Sequence, residues 1–382
     1  MTDEYHQDIS NYYGKEIQHT SDLKFSCCVS SGTKHVWHRE ILSKISPEVL
    51  DKYYGCGSPI PDALEGRVII DLGSGTGRDC FLAAVLSGKK GHVIGVDMTD
   101  EQLEVANRSI SYHHQTFPDS SSVEFKKGMI EDLKSVGIND NSVDIVISNC
   151  VINLSNDKER VFKEIFRVLK DGGEVHISDI FTNIPVGQKA RENKMLVGEC
   201  MGNAIDLDTF VNVMKKAGFS HIYAVEARYV PTPGVPADII DPAVNFFSVT
   251  FSAFKMASIE KVENQWNGDW VKYLGGIDHC DDELEFDLFH KFRKSEKVFV
   301  GSLLAETLKK SRYGQYFEFG RDTGSEVPPK PEEKTFIQTV LDTKKDDQNG
   351  SNANQGTGGC CSSSCCCCCN NNFNNFEYGD WS

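Results

Sequence analysis

From about Gly66 to Met256 the chain alternates two textures, short runs of β-branched and aliphatic residues and longer stretches whose apolar positions recur with the helical repeat. Arg67 to Leu72, Gly91 to Asp97, Ser122 to Lys127, Ser142 to Ser148 and Gly173 to Ile180 read as five parallel strands. Ser220 to Val230 and Asn245 to Lys255 complete the sheet. Lys158 to Leu169 carries Val161, Phe162, Ile165, Phe166 and Leu169 on one helical stripe, expected to stop at the Asp171, Gly172, Gly173 turn. Thr99, followed three residues later by Gln102, has the form of a capping box that opens a helix directly after the second strand. Strand and helix in regular alternation predict an α/β fold: a Rossmann-like, doubly wound, mostly parallel seven-stranded sheet with helices on both faces.

The flanks have other patterns. Ser46 with Pro47 predicts a short helix that stops at Gly55. Trp266 to Glu318 mixes aromatic and charged residues with weak periodicity, and beyond Thr323 the composition turns to Pro, Lys, Glu, Asn, Gly and Ser, which predicts disorder. The expected organisation is a helical lead-in or lid at 1–65, the sheet domain at 66–256, a small C-terminal subdomain at 257–322 and a Cys- and Asn-rich tail at 323–382.

Charge and length narrow the function. The chain has 382 residues, with 56 acidic side chains against 40 basic ones and a formal net charge of -16, so its field repels polyanions and argues against nucleic acid as a partner. No stretch approaches the roughly 20 apolar residues of a membrane span. A cytoplasmic monomer is the expectation. Cysteine is over-represented: of 14 in all, seven lie between Cys27 and Cys280 and seven between Cys360 and Cys369. In a reducing compartment these are buried, catalytic or metal-binding thiols before they are a disulfide frame.

The first strand runs into Gly73, Ser74, Gly75, Thr76, Gly77 and then a helix, which places a glycine-rich turn where open α/β sheets bind ligands. A dinucleotide fingerprint needs a further glycine at the next position, and Arg78 stands there instead. Asp71 ahead of the loop is the acidic lead-in of an S-adenosylmethionine binder. Asp97, at the end of the second strand, is suited to accept both hydroxyls of a ribose. Gly128 to Asp132 would flank the adenine, and Asn149 the methionine part. The histidines suggest no rival centre: His113 and His114 at a helix end, and His35 and His38 in a loop, lack paired zinc-ligand spacing and read as solvated or locally bonded.

Cys150 stands beside Asn149 at the mouth of this crevice, Cys200 lies in Leu196 to Gly202, Cys56 in Tyr53 to Gly57, and Cys28 follows Cys27 near the start. Taken one at a time such cysteines are often inert core residues, as Cys80 in the helix after the glycine loop is expected to be. Together, the strings Tyr53 to Gly57, Ile70 to Cys80, Ser148 to Leu154 and Gly198 to Gly202 resemble those of the arsenite methyltransferases over about Tyr12 to Arg312. The resemblance implies the sheet of the class I methyltransferases, S-adenosylmethionine as cofactor, and Cys56, Cys150 and Cys200 as arsenic(III) thiolates. Cys28 matches the family's fourth catalytic cysteine. The likeness further implies a Cys28–Cys56 redox pair recycled by thioredoxin or glutathione, arsenic(III) thiol complexes as substrate, and a cofactor lining of Tyr54, Gly73, Gly75, Asp97, Met98, Gln102, Ile130, Glu131, Asn149 and Val151.

The chemistry agrees with that likeness. Arsenic(III) is a soft centre that prefers thiolates, and three sulfurs satisfy it while leaving a nucleophilic lone pair outward. Such an acceptor needs no general base, only distance and line to a sulfonium methyl. Two other readings stay open at this level: methyl transfer to a carbon or oxygen acceptor such as a sterol or quinone, for which Cys150 and Cys200 would be dispensable, and a thiol-rich metal buffer without turnover. The Cys360 to Cys369 cluster is consistent with soft-metal capture or with tolerated low-complexity sequence.

Overall fold

The computed structural model describes residues 2–17, 35–232, 235–256, 264–324 and 327–353. Residues 1–344 form one compact unit, and a second begins at Lys345. The N-terminal part holds α1 (Thr2–Asn11), α2 (His38–Leu42) and α3 (Pro47–Asp51). Pro47 occupies the first turn of α3 as expected, yet the helix stops at Asp51 rather than Gly55.

Next come β1 (Val68–Leu72), α4 (Arg78–Ser87), β2 (His92–Asp97), α5 (Asp100–Thr116), β3 (Ser122–Lys127), β4 (Val143–Asn149), α6 (Lys158–Val168) and β5 (Leu169–Thr182). They are followed by α7 (Gln188–Glu192), α8 (Lys194–Gly198), β6 (Ile205–Asp206), α9 (Leu207–Ala217), β7 (Tyr223–Val230) and β8 (Phe246–Phe254). The sheet order is β3-β2-β1-β4-β5-β8-β7, and the two-residue β6 adds to the end of β5. β1 to β5 are parallel; β8 is antiparallel to both β5 and β7. The seven expected strands are all present. The strand order reverses between the parallel neighbours β1 and β4, which opens a crevice at their carboxyl ends.

β1 is buried on both faces, with Ile69 in the core beneath α4 and Ile70 in the core that includes Val161, Phe162 and Ile165 of α6. That two-sided burial explains why its sequence is an unbroken apolar run rather than an alternating one. α6 is capped by Asp157, whose carboxylate accepts from the Arg160 amide at 3.0 Å. It ends at Val168, and the Asp171–Gly173 segment, expected as a turn, continues as β5 across a register irregularity between Val143 and Ile145.

The last part contains β9 (Asp269–Tyr273), β10 (Glu283–Glu285), β11 (Lys291–Arg293), β12 (Lys297–Phe299), α10 (Ser302–Lys310), β13 (Phe317–Arg321) and α11 (Phe336–Ala353). β12-β9-β13 is an antiparallel sheet whose core joins Val271, Tyr273, Leu308 and Phe317 to Tyr223 and Phe254 of the main sheet.

Helix α11 corrects the expectation of disorder beyond Thr323. Val340 is fully buried in the main core, with Phe336, Ile337 and Leu341 packed around it. The spacing of these four residues makes one apolar helical face, which composition averaged over the segment concealed. Cys27, Cys28 and the Cys360 to Cys369 cluster lie outside the described residues.

Candidate active site

The glycine loop after β1 is held by its backbone. Gly73 and Ser74 amides donate to Val96 O at 2.8 and 3.1 Å, and the Gly75 amide donates to Asp97 Oδ2 at 2.9 Å. Gly73 has φ +72, and a Cβ there would overlap the Val151 side chain, so glycine is required. The other oxygen of Asp97 accepts from the Thr99 amide at 2.8 Å. The anticipated capping box therefore does not form: Thr99 makes no side-chain cap bond, and Gln102 reaches away to donate to Tyr13 O at 2.8 Å. Each Asp97 oxygen keeps a second lone pair for a ribose hydroxyl. Burial raises the Asp97 carboxyl, with the Thr99 and Gly75 amides opposing that shift.

A cleft lies over these strand ends, and all ten residues expected to line the cofactor site border it: Tyr54, Gly73, Gly75, Asp97, Met98, Gln102, Ile130, Glu131, Asn149 and Val151. Ser74 Oγ, Gln102 Oε1 and Glu131 Oε2 are buried there without a hydrogen-bond partner among the described residues. Unmet polar groups in this cleft fit a ligand with its own donors and acceptors, such as an adenosyl group beside a charged amino acid.

Sequence reasoning missed a second layer. Arg78, the residue that breaks the dinucleotide pattern, is buried with its guanidinium 3.8 Å from the Tyr53 ring centre and its Nη1 2.7 Å from Asp79 Oδ1. Asn149 Nδ2 donates to Tyr53 Oη at 2.5 Å and to Gly57 O at 2.9 Å. No local pattern announces this net, because its members come from three segments. Cys80 is a core residue as expected, its Sγ 3.3 Å from Asp71 Oδ2, and burial followed by the Asp71 charge pushes its thiol up.

The three expected arsenic ligands converge. Cys56 and Cys150 are joined as a disulfide with Cα atoms 6.0 Å apart, and Cys200 Sγ donates to Cys150 O at 2.8 Å. All three are buried in one cluster with Ile9, Leu154, Leu196, Met201 and Phe246. Cys56 thus meets Cys150 where the Tyr53–Gly57 loop lies against the end of β4, while Cys28, the redox partner that the family likeness implies, lies outside the described residues. Cys150 and Cys200 have φ of 53° and 62°, left-handed values unusual for a side chain with a Cβ.

Beside these sulfurs lies Asp179, one of whose oxygens is within 4.8 Å of both Cys150 and Cys200 Sγ. Burial pushes its carboxyl up to about 6, against the amides of Ile180 and Asn153 and the charge of Lys158. Lys158 is itself brought down to about 8, by burial first.

This strand order, the glycine loop and the carboxylate at the end of β2 define a class I S-adenosylmethionine-dependent methyltransferase. Residues 64–218 match a methyltransferase domain family and residues 267–368 the arsenite methyltransferase C-terminal domain. The chain belongs to the arsenite methyltransferase family. It is 38% identical to the arsenite methyltransferase of Aquipseudomonas alcaligenes, over 82% of this chain and 90% of the relative. With the Homo sapiens arsenite methyltransferase it shares 39% identity, over 85% and 86% of the two chains. The solved arsenic(III) S-adenosylmethionine methyltransferase of Chlamydomonas reinhardtii superposes with a TM-score of 0.70 at 36% identity, covering 75% of this chain and 95% of that one. Among the described residues no helix is long and apolar enough to cross a membrane.

Proposed function

We propose that the protein transfers methyl groups from S-adenosylmethionine to arsenic(III) held on Cys56, Cys150 and Cys200. The convergence of three buried cysteine side chains at the mouth of the cofactor cleft carries this reading, since Cys150 directly follows Asn149 of the cleft wall.

In the receptive state the Cys56–Cys150 disulfide is opened by an external dithiol or two monothiols, which leave as a disulfide; thioredoxin and glutathione are the reductants of suitable class. Arsenous acid then condenses with the three thiols, releasing three waters and leaving three As–S bonds. When bound, S-adenosylmethionine supplies an electrophilic sulfonium methyl. Asp97 and Glu131 would hold the ribose and adenine ends, and Asn149 would face the amino-acid end.

Ile9, Leu154 and Met201 keep water from the sulfurs. The protein's contribution is alignment in a dry site, with no proton to remove from the nucleophile. Methylation leaves arsenic formally two electrons more oxidised. A thiol pair returns those electrons by closing a disulfide; Cys56–Cys150 is one such pair, and Cys28–Cys56 is the alternative drawn from the family likeness.

Purified Cys150→Ser and Cys200→Ser variants, incubated with arsenite, thiol and methyl-labelled S-adenosylmethionine, are each expected to lose methylated arsenic while still binding cofactor. Undiminished product from both variants overturns the thiolate-capture reading.

A further inference from the structure

Away from the methyl-transfer cleft, three remote stretches of chain bring together another set of metal-type donors. His35 Nε2, an Asp62 carboxylate oxygen and Cys280 Sγ all lie within 4.8 Å of one another. His35 Nε2 is 2.7 Å from Asp62 Oδ1, and Cys280 Sγ is 3.7 Å from the same oxygen. Asp62 and Cys280 are buried and His35 is half-buried.

We infer that His35, Asp62 and Cys280 form a divalent-metal site of the zinc class, separate from the arsenic thiols. One imidazole nitrogen, one carboxylate oxygen and one thiolate are the mixed donor set that a borderline cation accepts. Tetrahedral bonds of about 2.0 to 2.3 Å place neighbouring donors roughly 3.3 to 3.7 Å apart. The sulfur–oxygen separation already meets this, and the His35–Asp62 contact must open by roughly 0.6 Å to meet it. Binding exchanges that hydrogen bond for two bonds to the cation and releases the Cys280 thiol proton, so a divalent ion and a thiol give a metal thiolate and one proton.

The surroundings are built to aim these groups. Only six non-glycine residues among those described have positive φ; two are Cys150 and Cys200, and two others, Ala63 and His279, adjoin Asp62 and Cys280 with φ of 59° each. The Trp37 ring stacks on His35 with centroids 5.6 Å apart and on His279 at 4.1 Å, which fixes the His35 plane. Arg312 donates to the backbone oxygen of Asp62 at 2.6 Å, while its charge is taken up by the buried carboxylate of Glu174.

An open cleft beside the cluster is bordered by Asp62, Glu65, Asp278 and Asp281, of which Asp281 is paired with Lys294; no lysine or arginine lines it among the described residues. It gives a cation a negatively charged approach. Occupied, the site would tie the stretch at His35 to the C-terminal subdomain through Cys280.

The test uses reduced full-length protein titrated with Co2+ alone, followed by bound-metal stoichiometry and by the cobalt–thiolate charge-transfer absorption. His35→Gln, which keeps a donor toward Asp62, and Cys280→Ser are each expected to lose one equivalent of cobalt. The parent-minus-variant spectra should then coincide and show a single cobalt–sulfur band. A Cys369→Ser control reports on the tail cysteines, which contribute equally to the parent and both test variants. Equal stoichiometry in the parent and His35→Gln, or loss in Cys280→Ser alone, overturns the inference. Circular dichroism confirms that each variant has folded.

Discussion

Asn149 Oδ1 accepts the backbone N–H of Cys56 at 3.0 Å, so a residue of the cleft wall also fixes the position of a cysteine proposed to bind arsenic. The amide nitrogen of the same side chain holds Gly57 O and the Tyr53 hydroxyl. One side chain at the end of β4 therefore sets the relation between the methyl donor's site and the thiol loop.

Asn149→Ala removes this tie and leaves buried partners unmet, a loss of about 1–3 kcal/mol. The expected result is a fall in kcat for arsenite methylation of roughly tenfold to a hundredfold with the fold retained. Steady-state kinetics with both substrates varied checks it; unchanged kcat would show that the loop is held by other contacts.

Gly73→Ala and Gly137→Ala separate a steric requirement from a conformational one. Both glycines have positive φ, but a Cβ at Gly73 would meet Val151 in the cleft, whereas at Gly137 nothing lies within 4 Å. Gly73→Ala is expected to weaken S-adenosylhomocysteine binding by about tenfold or more, a cost of roughly 1.4 kcal/mol or more. Gly137→Ala should cost about 1 kcal/mol of stability and leave affinity unchanged. Calorimetric titration beside a denaturant melt distinguishes them.

Val340 sits fully buried in the main core, and Phe336 approaches the Phe210 ring at a centroid distance of 5.7 Å. Val340→Asp places a charge there without a partner and is expected to destabilise the protein by about 3 kcal/mol, lowering its thermal midpoint by several degrees. Truncation after Glu326 should do the same, whereas a stop after Ala353 should leave the midpoint unchanged. Differential scanning calorimetry reads all three.

His113 is buried against Phe81 at 4.6 Å, with neither ring nitrogen partnered among the described residues, contrary to the expectation of a solvated or locally bonded histidine. Burial, then the neighbouring His114, lowers its pKa from 6.5 to about 4. Between these values the unfolded chain binds a proton that the folded chain refuses, so this contribution to stability is complete above pH 6.5 and is lost as pH falls toward 4. Urea melts at pH 7 and pH 4.5 should differ by about 2 kcal/mol more for the parent than for His113→Phe. An equal pH dependence in the two proteins would contradict the assignment.

The chain pattern alone determined the seven strands, the glycine loop, Asp97 and the crevice that holds Cys150, because strand period, turn chemistry and strand-end position are local properties. The family strings extended this to Tyr54, Gln102, Val151, Cys56 and Cys200, all of which border the cleft or its thiol cluster in the structure. Tertiary structure alone decided that Cys56 pairs with Cys150, that Arg78 stacks on Tyr53, that Val340 is core, and that His35, Asp62 and Cys280 meet. Each of these depends on segments far apart in sequence approaching within a few ångströms. Such an approach is fixed by the packing of whole elements and leaves no periodic trace in the residues it brings together.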